Sequence, residues 1–351
     1  MPPNPVQSVL VYRTGHLGDT VCAIPAFRRV REQFAGRRLL LLCDRAGRGK
    51  VSAAGVVEML GIFDEVKTYR SGKGLATLWQ MARYVRERQP EIVVILPQVR
   101  ESAASLEQKK KFFHWCGVPD VRGVNFPALR HAWQPNEPER LMQVLRAVGI
   151  RGKKPDYAVP GDAGARARVR EKLWQLGVAE TAPYLVFCGG GKAPTQQWSL
   201  ERYARVLKNV ADRLRLPVIG LGSAAECADY QREVSPLFPD LRLTGSLSMP
   251  EVFELLRGAL AYIGNDTGPM HVAAAIGCPV AAVVSARNPP GAWDPDVAPH
   301  IVFRHRTECE DCFLNECLAE RHRCMTGITE EMVLAGLLPF LEKLKTEKRT
   351  R

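Results

Sequence analysis

The chain has 351 residues, of which 46% are hydrophobic and 25% are charged, and this composition predicts a soluble globular protein of two domains. No apolar run approaches the ~20 residues of a membrane span, and the N-terminus lacks the features of a signal peptide, so we expect a cytoplasmic protein. The net charge of +12 predicts attraction to an acidic partner, whether a nucleic acid, an anionic membrane or a phosphorylated substrate.

The first half of the chain alternates short apolar stretches with helical patterns. The predicted strands are 7–13, 38–43, 65–68 and 92–96, and the predicted helices are 20–34, 51–60 and 75–88. This alternation implies a parallel sheet with right-handed crossovers. We therefore predict a doubly wound α/β domain over residues 1–165.

The same alternation returns after a stretch in which the strand signal fades. We predict a linker at 166–183, a second domain at 184–328, and a C-terminal segment at 329–351 whose helix packs back on the first domain. The predicted strands of the second domain are 184–188, 217–221, 260–263 and 280–284, and the helices are 200–214, 224–234 and 250–258. The two halves thus resemble two facing Rossmann-like domains.

A turn in the second half has the features of an anion site. The chain breaks after the strand at Gly264-Asn-Asp266 and restarts at Thr267 as an Ala-rich helix that stops at Gly277. Free amides of the first helical turn and the positive end of the helix dipole favour a phosphate, and His271 lies in the same turn. An ordinary capped strand-to-helix turn explains the pattern equally well.

Two further glycine-containing loops follow predicted strands, at the edge where open α/β sheets bind their ligands. Gly15, Gly18 and Asp19 follow the first strand, and Gly189 to Lys192 follow the first strand of the second domain. Neither loop completes a dinucleotide fingerprint or a P-loop, which argues against an oxidoreductase or a P-loop NTPase. The glycines predict amides that approach a phosphate, with Lys192 adding charge, although Asp19 is also explained as a plain helix cap.

A basic and aromatic segment follows the fourth predicted strand. Arg100 and the stretch from Gln108 to Trp115, which includes Lys109, predict a loop that binds a phosphorylated or carboxylated sugar acceptor. The alternative is a solvated helix end in which Phe112 and Trp115 are buried.

Four of the ten cysteines are clustered near the C-terminus. A Cys-x-x-Cys pair followed by two further cysteines is a thiolate pattern that favours structural zinc, or iron as an alternative. Reduced, unligated thiols are the other interpretation, and a redox pair is less favoured. The predicted ligands are Cys309, Cys312, Cys317 and Cys324.

Taken together, the glycine-containing motifs resemble a known family. Arg13-Thr-Gly-His-Leu-Gly-Asp-Thr20 with Ile24-Pro-Ala26, then Gly264-Asn-Asp-Thr-Gly-Pro-Met-His271 with Ala274-Ala-Ile-Gly277, are similar to the ADP-heptose:lipopolysaccharide heptosyltransferase family, glycosyltransferase family 9. The resemblance implies a GT-B architecture, in which the first domain binds the acceptor, the second binds a nucleotide sugar, and the reaction takes place in the cleft.

The resemblance also implies roles for individual residues. Asp19 matches the general base, Lys192 the phosphate lysine, and Glu226 the position of a carboxylate that holds the ribose. Gln197 stands before Trp198 where the family often has a basic residue, which leaves the match of Lys192 open. The residues that match the donor-diphosphate loop are Asp266, Thr267, Gly268 and His271, and the expected acceptor residues are Gly15, Gly18, Arg100 and Lys109.

The resulting prediction is an inverting transfer of a heptosyl group from ADP-L-glycero-D-manno-heptose to an acidic saccharide such as the lipopolysaccharide inner core. No cofactor is expected for catalysis, no nucleic acid is expected as a partner, and peripheral contact with the inner membrane face is predicted. One alternative keeps the fold but uses another nucleotide sugar, or a protein or natural-product acceptor. A distant alternative is a basic zinc-containing protein that binds nucleic acid.

Overall fold

The computed structural model describes residues 7–45, 53–70, 74–123, 136–317 and 322–350. The chain divides into two compact units, Met1–Ala158 and Val159–Arg351. This division falls before the expected linker, because the helix at Ala163–Gln175 packs on the helix at Met249–Gly258 and so belongs to the second unit. Arg166 and Glu254 join the two helices with an ion pair of 2.9 Å.

The first unit contains a five-stranded sheet in which every pair of neighbours is parallel, with the order β3-β2-β1-β4-β5. Its described elements are β1 (Ser8–Arg13), α1 (Leu17–Cys22), α2 (Ile24–Gln33), β2 (Arg38–Arg45), α3 (Ala53–Leu60), β3 (Glu65–Arg70), α4 (Leu75–Arg88), β4 (Ile92–Ile95), α5 (Ala103–Trp115), β5 (Asp120–Arg122) and α6 (Glu137–Ala147). Every residue of the central strand β1 is buried, as expected for a strand covered by helices on both faces.

The helix predicted over 20–34 is two helices that meet at Ala23. Pro25 lies in the first turn of α2 and has no amide hydrogen to continue the hydrogen bonds of α1. Helix α1 thus ends before Pro25. It also begins earlier than predicted, at Leu17, and has Asp19 in its own first turn.

The second unit contains a six-stranded parallel sheet with the order β11-β10-β9-β6-β7-β8. Its described elements are α7 (Ala163–Gln175), β6 (Leu185–Cys188), a 3-10 turn (Pro194–Gln196), α8 (Leu200–Leu214), β7 (Val218–Gly220), α9 (Ala224–Glu233), β8 (Arg242–Leu243), α10 (Met249–Gly258), β9 (Ala261–Asn265), α11 (Gly268–Ala275), β10 (Val280–Val283), β11 (His300–Phe303), α12 (Arg323–Thr326) and α13 (Glu330–Thr350). The predicted doubly wound α/β class is confirmed in both units.

The C-terminal helix differs from the prediction in where it packs. Val333, Leu337, Leu341 and Leu344 recur at helical spacing and are buried in the core of the second unit, beside α8 and β11. The apolar face that was expected on the first domain is thus used within its own unit. Among the described residues, no helix combines the length and the apolar character needed to cross a membrane.

Candidate active site

Both sheets bring their glycine-containing loops to the carboxyl ends of central strands. In the first sheet, β1 and β4 are neighbours at the centre, with β2 following β1 on one side and β5 following β4 on the other, and in the second sheet β6 and β9 are neighbours at the centre. Open α/β sheets bind ligands at such points, where the strand order reverses. The loop with Asp19 follows β1, and the loops with Lys192 and Asp266 follow β6 and β9.

Asp19 is held by the loop that precedes it. The His16 amide donates to its carboxylate at 2.8 Å, so the residue caps α1 as the simpler interpretation expected. Gly15 has φ of +143°, donates to Asp44 at 2.8 Å, and leaves no room for a Cβ beside the Asp19 side chain. The glycine is therefore required for both the backbone turn and the close approach of the carboxylate.

A buried ion cluster lies beneath this loop, and the sequence analysis missed it. Arg13, Glu137 and Arg140 are at most 4% exposed, and both arginines pair with the Glu137 carboxylate. Both also donate to the carbonyl of Pro97, at 2.8 and 2.7 Å, and Arg13 reaches the carbonyl of Asp19 at 3.4 Å. The cluster joins the ends of β1 and β4 to α1 and α6. Arg13 begins the first motif, but nothing in the sequence links it to Glu137.

The basic and aromatic segment of the first unit is a helix, α5, and not the predicted loop. Phe113 is buried, whereas Trp115 is 64% exposed, so the alternative that buried Trp115 is also wrong. Lys109 pairs with Glu101, and its ammonium lies 5.1 Å from the centre of the Tyr12 ring. Arg100 is exposed, with φ of +65°, in the turn before the helix. The acceptor roles of Lys109 and Arg100 stay predictions.

In the second unit, two of the amides expected to face a phosphate are already used. The amides of Gly189 and Gly190 donate to the Tyr230 hydroxyl at 3.0 and 3.1 Å. This hydroxyl is buried, and burial raises the pKa of Tyr230 well above its ordinary value, so it stays protonated. In this structure these amides are paired with Tyr230, and the expectation that they bind phosphate stays a prediction.

Glu226 lies against the glycine loop after β6, whereas the Lys192 side chain is exposed. A Cβ on Gly190 would overlap the Glu226 carboxylate, so the glycine lets this side chain approach the loop after β6. Glu226 also accepts from the Ser223 amide at 2.7 Å and caps α9. Lys192 is exposed on the same loop. The structure thus brings Glu226 to the glycine loop and leaves the Lys192 side chain at the surface.

Asn265 is a second residue that the sequence analysis passed over. Its side chain is fully buried, and its amide nitrogen donates to the carbonyls of Gly189 and Gly190 at 2.7 and 3.1 Å. Its oxygen accepts from the Trp198 amide at 3.2 Å and from the Tyr203 hydroxyl at 2.9 Å. All four hydrogen bonds of the amide group are made. Asn265 therefore fixes the loop after β6 against the end of β9, and its position between Gly264 and Asp266 in the motif was the available signal.

The predicted donor-diphosphate loop forms a compact group at the start of α11. Asp266 and His271 are 8% and 7% exposed, and the Asp266 carboxylate lies 3.3 Å from the His271 ring nitrogen Nε2. The edge of the His271 ring meets Trp293 with centroids 5.7 Å apart. Thr267 is the N-cap residue of α11, but its hydroxyl pairs with Tyr262 at 3.2 Å, and its side chain does not cap the helix. No side-chain cap hydrogen bond from the described residues covers the first turn of α11, and its role as the donor-diphosphate site stays a prediction.

The four clustered cysteines share one neighbourhood in the second unit. Cys324 is buried, and its pKa is raised by burial first and also by the sulfurs of Cys309, Cys312 and Cys317. Even so, in the part of the chain that the structure describes, no three or more His, Cys, Asp or Glu side chains are arranged as ligands of one metal ion. The predicted zinc or iron site is thus not reproduced as a ligand set.

The fold and the two loop groups define the class of protein. Two doubly wound α/β units, each with a glycine-containing turn at the carboxyl edge of its sheet, are what the GT-B fold consists of, and solved heptosyltransferase structures share this fold. The sequence profile described as glycosyltransferase family 9 (heptosyltransferase) matches residues 78–322, well over half of the chain. The chain belongs to glycosyltransferase family 9.

Individual relatives agree with this assignment. Lipooligosaccharide heptosyltransferase 2 of Haemophilus influenzae is 22% identical over 304 residues, which cover 81% of this chain and 82% of that protein. With two other curated heptosyltransferases, from Escherichia coli and Pseudomonas aeruginosa, the match spans less than half of each protein, 44% and 42%.

Solved structures share the fold. The structure of E. coli ADP-heptose lps heptosyltransferase II superposes with a TM-score of 0.70 at 17% identity, covering 97% of this chain and 100% of that chain. The iron-containing dodecameric glycosyltransferase TibC from enterotoxigenic E. coli superposes with a TM-score of 0.58 at 13% identity, covering 98% and 78%. At these identities the likeness concerns the fold.

Proposed function

We propose that the protein transfers a heptosyl group, with inversion, from ADP-heptose to an acidic saccharide acceptor of the lipopolysaccharide inner-core type. The observation that carries this proposal is the buried Asp266–His271 pair at the start of α11, in a chain that belongs to a heptosyltransferase family. The proposal includes the cytoplasmic location expected from the sequence, which cell fractionation tests.

The donor diphosphate is proposed to lie at the start of α11. The amide of Gly268 and the helix dipole attract the phosphate oxygens, and Lys192 adds a mobile positive charge from the loop after β6. Because the Asp266 carboxylate faces His271, its proposed role is to orient that ring, and not to contact an anion that it would repel. Glu226, beside Gly190, is proposed to accept hydrogen bonds from the ribose hydroxyls.

These groups also assist the departure of ADP. As the bond between the anomeric carbon and the phosphate oxygen breaks, the electron pair stays on the diphosphate. Fixed amides and the His271 ring stabilise that growing charge without moving, which is the most effective form of electrostatic catalysis. The proposed reaction requires no cofactor.

Asp19 is proposed to be the general base. It takes the proton of the acceptor hydroxyl while the oxygen forms its bond to the anomeric carbon from the side opposite ADP, which inverts the configuration. Its carboxylate is held through the His16 amide and the close contact with Gly15. Gly18, Arg100 and Lys109 are proposed to contact the acceptor, with the two cations matched to its acidic groups.

The donor is tested by mass-spectrometric detection of transfer from a panel of nucleotide sugars. We expect ADP-heptose to be turned over at least ~100-fold faster than UDP- or GDP-sugars, because a site that hydrogen-bonds its substrate discriminates strongly against a mismatched partner. Faster turnover of another nucleotide sugar would contradict ADP-heptose as the donor and favour the alternative donors. The same assay detects transfer to a protein acceptor. Strong salt-dependent binding of RNA or DNA without any transfer would favour the nucleic-acid alternative.

A structural metal at the four cysteines is a separate proposal. Its support is the shared neighbourhood of the sulfurs, together with the iron reported for TibC by its name. Bound zinc or iron would tie Cys309, Cys312 and Cys317 to Cys324 without taking part in transfer. Metal analysis of the purified protein tests it, with Cys312→Ser as the variant that should lose the metal. A wild-type protein without stoichiometric zinc or iron would refute it.

A further inference from the structure

Gln98, in the loop between β4 and α5, holds the turn that precedes Asp19. Its side-chain nitrogen Nε2 donates to the carbonyl of Thr14 at 2.7 Å. The same nitrogen lies 3.0 Å from the point that a Cβ on Gly15 would occupy, so the side chain packs directly against the turn. Gln98 thus contacts the residues that come immediately before the start of α1.

Arg13 holds the same turn from its buried side. The guanidinium donates to the carbonyls of Leu96 and Pro97 at 3.3 and 2.8 Å, and to the carbonyl of Asp19 at 3.4 Å. The buried Glu137 carboxylate accepts from the same group at 3.1 Å. The end of β4 and the turn are therefore joined at two points, one at each end of the turn.

The buried ion cluster is an expensive way to join two loops. Removing a charged side chain from water costs several kcal/mol, and well-packed apolar residues of similar volume are often as stable. Stability alone therefore does not account for two arginines and a glutamate in three buried positions. What the cluster supplies in addition is a fixed backbone at the Asp19 turn.

The loop that contains Gln98 also reaches the cations that are proposed to contact the acceptor. The Glu101 carboxylate accepts from the backbone amide of Gln98 at 3.3 Å and pairs with Lys109. Arg100 lies between Gln98 and Glu101 in the same loop. Lys109 is thus connected to the turn with Asp19 through Glu101 and Gln98, and each step is an ion pair or a hydrogen bond.

We propose that Gln98 is a positioning residue, through which the acceptor-binding loop sets the place of the Asp19 carboxylate. Gln98 keeps Thr14 and Gly15 against the start of α1, so that the carboxylate meets the acceptor hydroxyl at hydrogen-bonding distance. A displacement of about 1 Å at a reacting group can lower a rate ~10²-fold. The inference rests on the proposed role of Asp19 as the base and adds the residue that aligns it.

The test is Gln98→Met, which keeps the length of the side chain and removes the donor to the Thr14 carbonyl. We expect the single-turnover rate of transfer from ADP-heptose to fall ~10–100-fold, because the base is no longer held in the required geometry. The affinity for ADP, measured by calorimetric titration, should stay within about twofold of the wild type, since the lost contact acts in the transition state and not in donor binding. Gln98 is half-buried and loses one hydrogen bond, so the variant should fold.

The same substitution made together with Asp19→Asn separates positioning from a general weakening of the fold. If Gln98 acts through the Asp19 carboxylate, the double variant should transfer at the rate of Asp19→Asn, within about twofold. A residue whose loss only weakens the fold lowers the rate by the same factor with and without the carboxylate. An undiminished effect of Gln98→Met in the absence of the carboxylate would overturn the inference.

Hydrogen exchange followed by mass spectrometry gives a readout that needs no substrate. Peptides that span residues 13–22 should exchange at least ~5-fold faster in Gln98→Met than in the wild type, because the turn is held less firmly. The matched control is Gln175→Met, since the exposed Gln175 on α7 also loses one side-chain hydrogen bond, to Glu171 at 2.9 Å. This control should match the wild type in transfer and in the exchange of those peptides.

Unchanged exchange of residues 13–22 in Gln98→Met would overturn the inference, and so would transfer by Gln98→Met at the wild-type rate. A wild type that transfers no heptosyl group counts against the proposed function and not against Gln98, whose hold on the turn is measured by the exchange rates.

Discussion

Replacing Asn265 by Asp tests how the two donor loops of the second unit are held together. The substitution preserves size and keeps an oxygen for the Trp198 amide and the Tyr203 hydroxyl. It removes the nitrogen that donates to the carbonyls of Gly189 and Gly190, in a side chain that is fully buried. A carboxylate would face both carbonyls with no hydrogen to offer, and a protonated carboxyl could serve only one of them.

The expected cost follows from those two carbonyls. A buried acceptor left without a partner costs ~1–3 kcal/mol, so the variant should lose ~2–6 kcal/mol of unfolding free energy. For a unit of this size, 1 kcal/mol corresponds to ~2–4 °C, which gives a fall in Tm on the order of 5–20 °C. The loosened Gly189–Gly190 loop should also weaken ADP binding.

Differential scanning calorimetry measures the first effect, and titration with ADP measures the second. The matched control is Asn315→Asp, because Asn315 is exposed and its oxygen accepts from Arg287 at 3.1 Å, a bond that a carboxylate keeps. The control should stay within ~0.5 kcal/mol of the wild type. A Tm of Asn265→Asp within about 2 °C of the wild type would refute the reasoning.

Two further substitutions, one in each unit, test ion pairs that stabilise the fold, with unfolding measured by calorimetry or denaturant. Glu137→Gln removes the negative charge between the buried Arg13 and Arg140 and should lower the free energy of unfolding by ~3–5 kcal/mol. The control is Glu139→Gln, because Glu139 pairs with Arg146 at 3.8 Å nearer the surface. It should lower the free energy of unfolding by less than ~1 kcal/mol. Equal costs would contradict the role given to the cluster. Hydrogen bonds from Ser248, and then the Arg168 ion pair, lower the pKa of Glu251 from 4.5 to about 2, so its contribution is present above the ordinary pKa and is lost as the pH falls toward about 2. Glu251→Gln should therefore flatten the pH dependence of stability in that window, and an unchanged slope would contradict the assignment.

The sequence predicts local structure well where a pattern is long. The buried strand β1 and the turn at Gly264–Thr267 were recognised because apolar runs and helix starts are local signals. Strands β5, β8 and β11 lie at sheet edges and have few fully buried residues, so they lack the continuous apolar run of the central strands, and they were missed. The packing of α13 on its own unit was also missed, because an apolar helix face shows that the helix is buried but not which element covers it.

The candidate site shows the same division. Glycines and charged residues in the motifs pointed to Asp19, Asp266 and His271, and the family resemblance added Glu226. The motifs did not reveal the long-range hydrogen bonds and ion pairs that these loops make. Tyr230 occupies the amides of Gly189 and Gly190 from 40 residues or more along the chain, and Glu137 reaches Arg13 across 124 residues. Such pairs depend on tertiary structure and leave no local pattern.

The central claim is tested most directly by Asp19→Asn in a transfer assay with ADP-heptose and a core-type acceptor. The asparagine can still accept from the His16 amide, so the cap of α1 is kept and only the base is removed. We predict that the rate of transfer falls by ~10²–10⁴-fold while the affinity for ADP is unchanged. Transfer at the wild-type rate by Asp19→Asn would contradict the account.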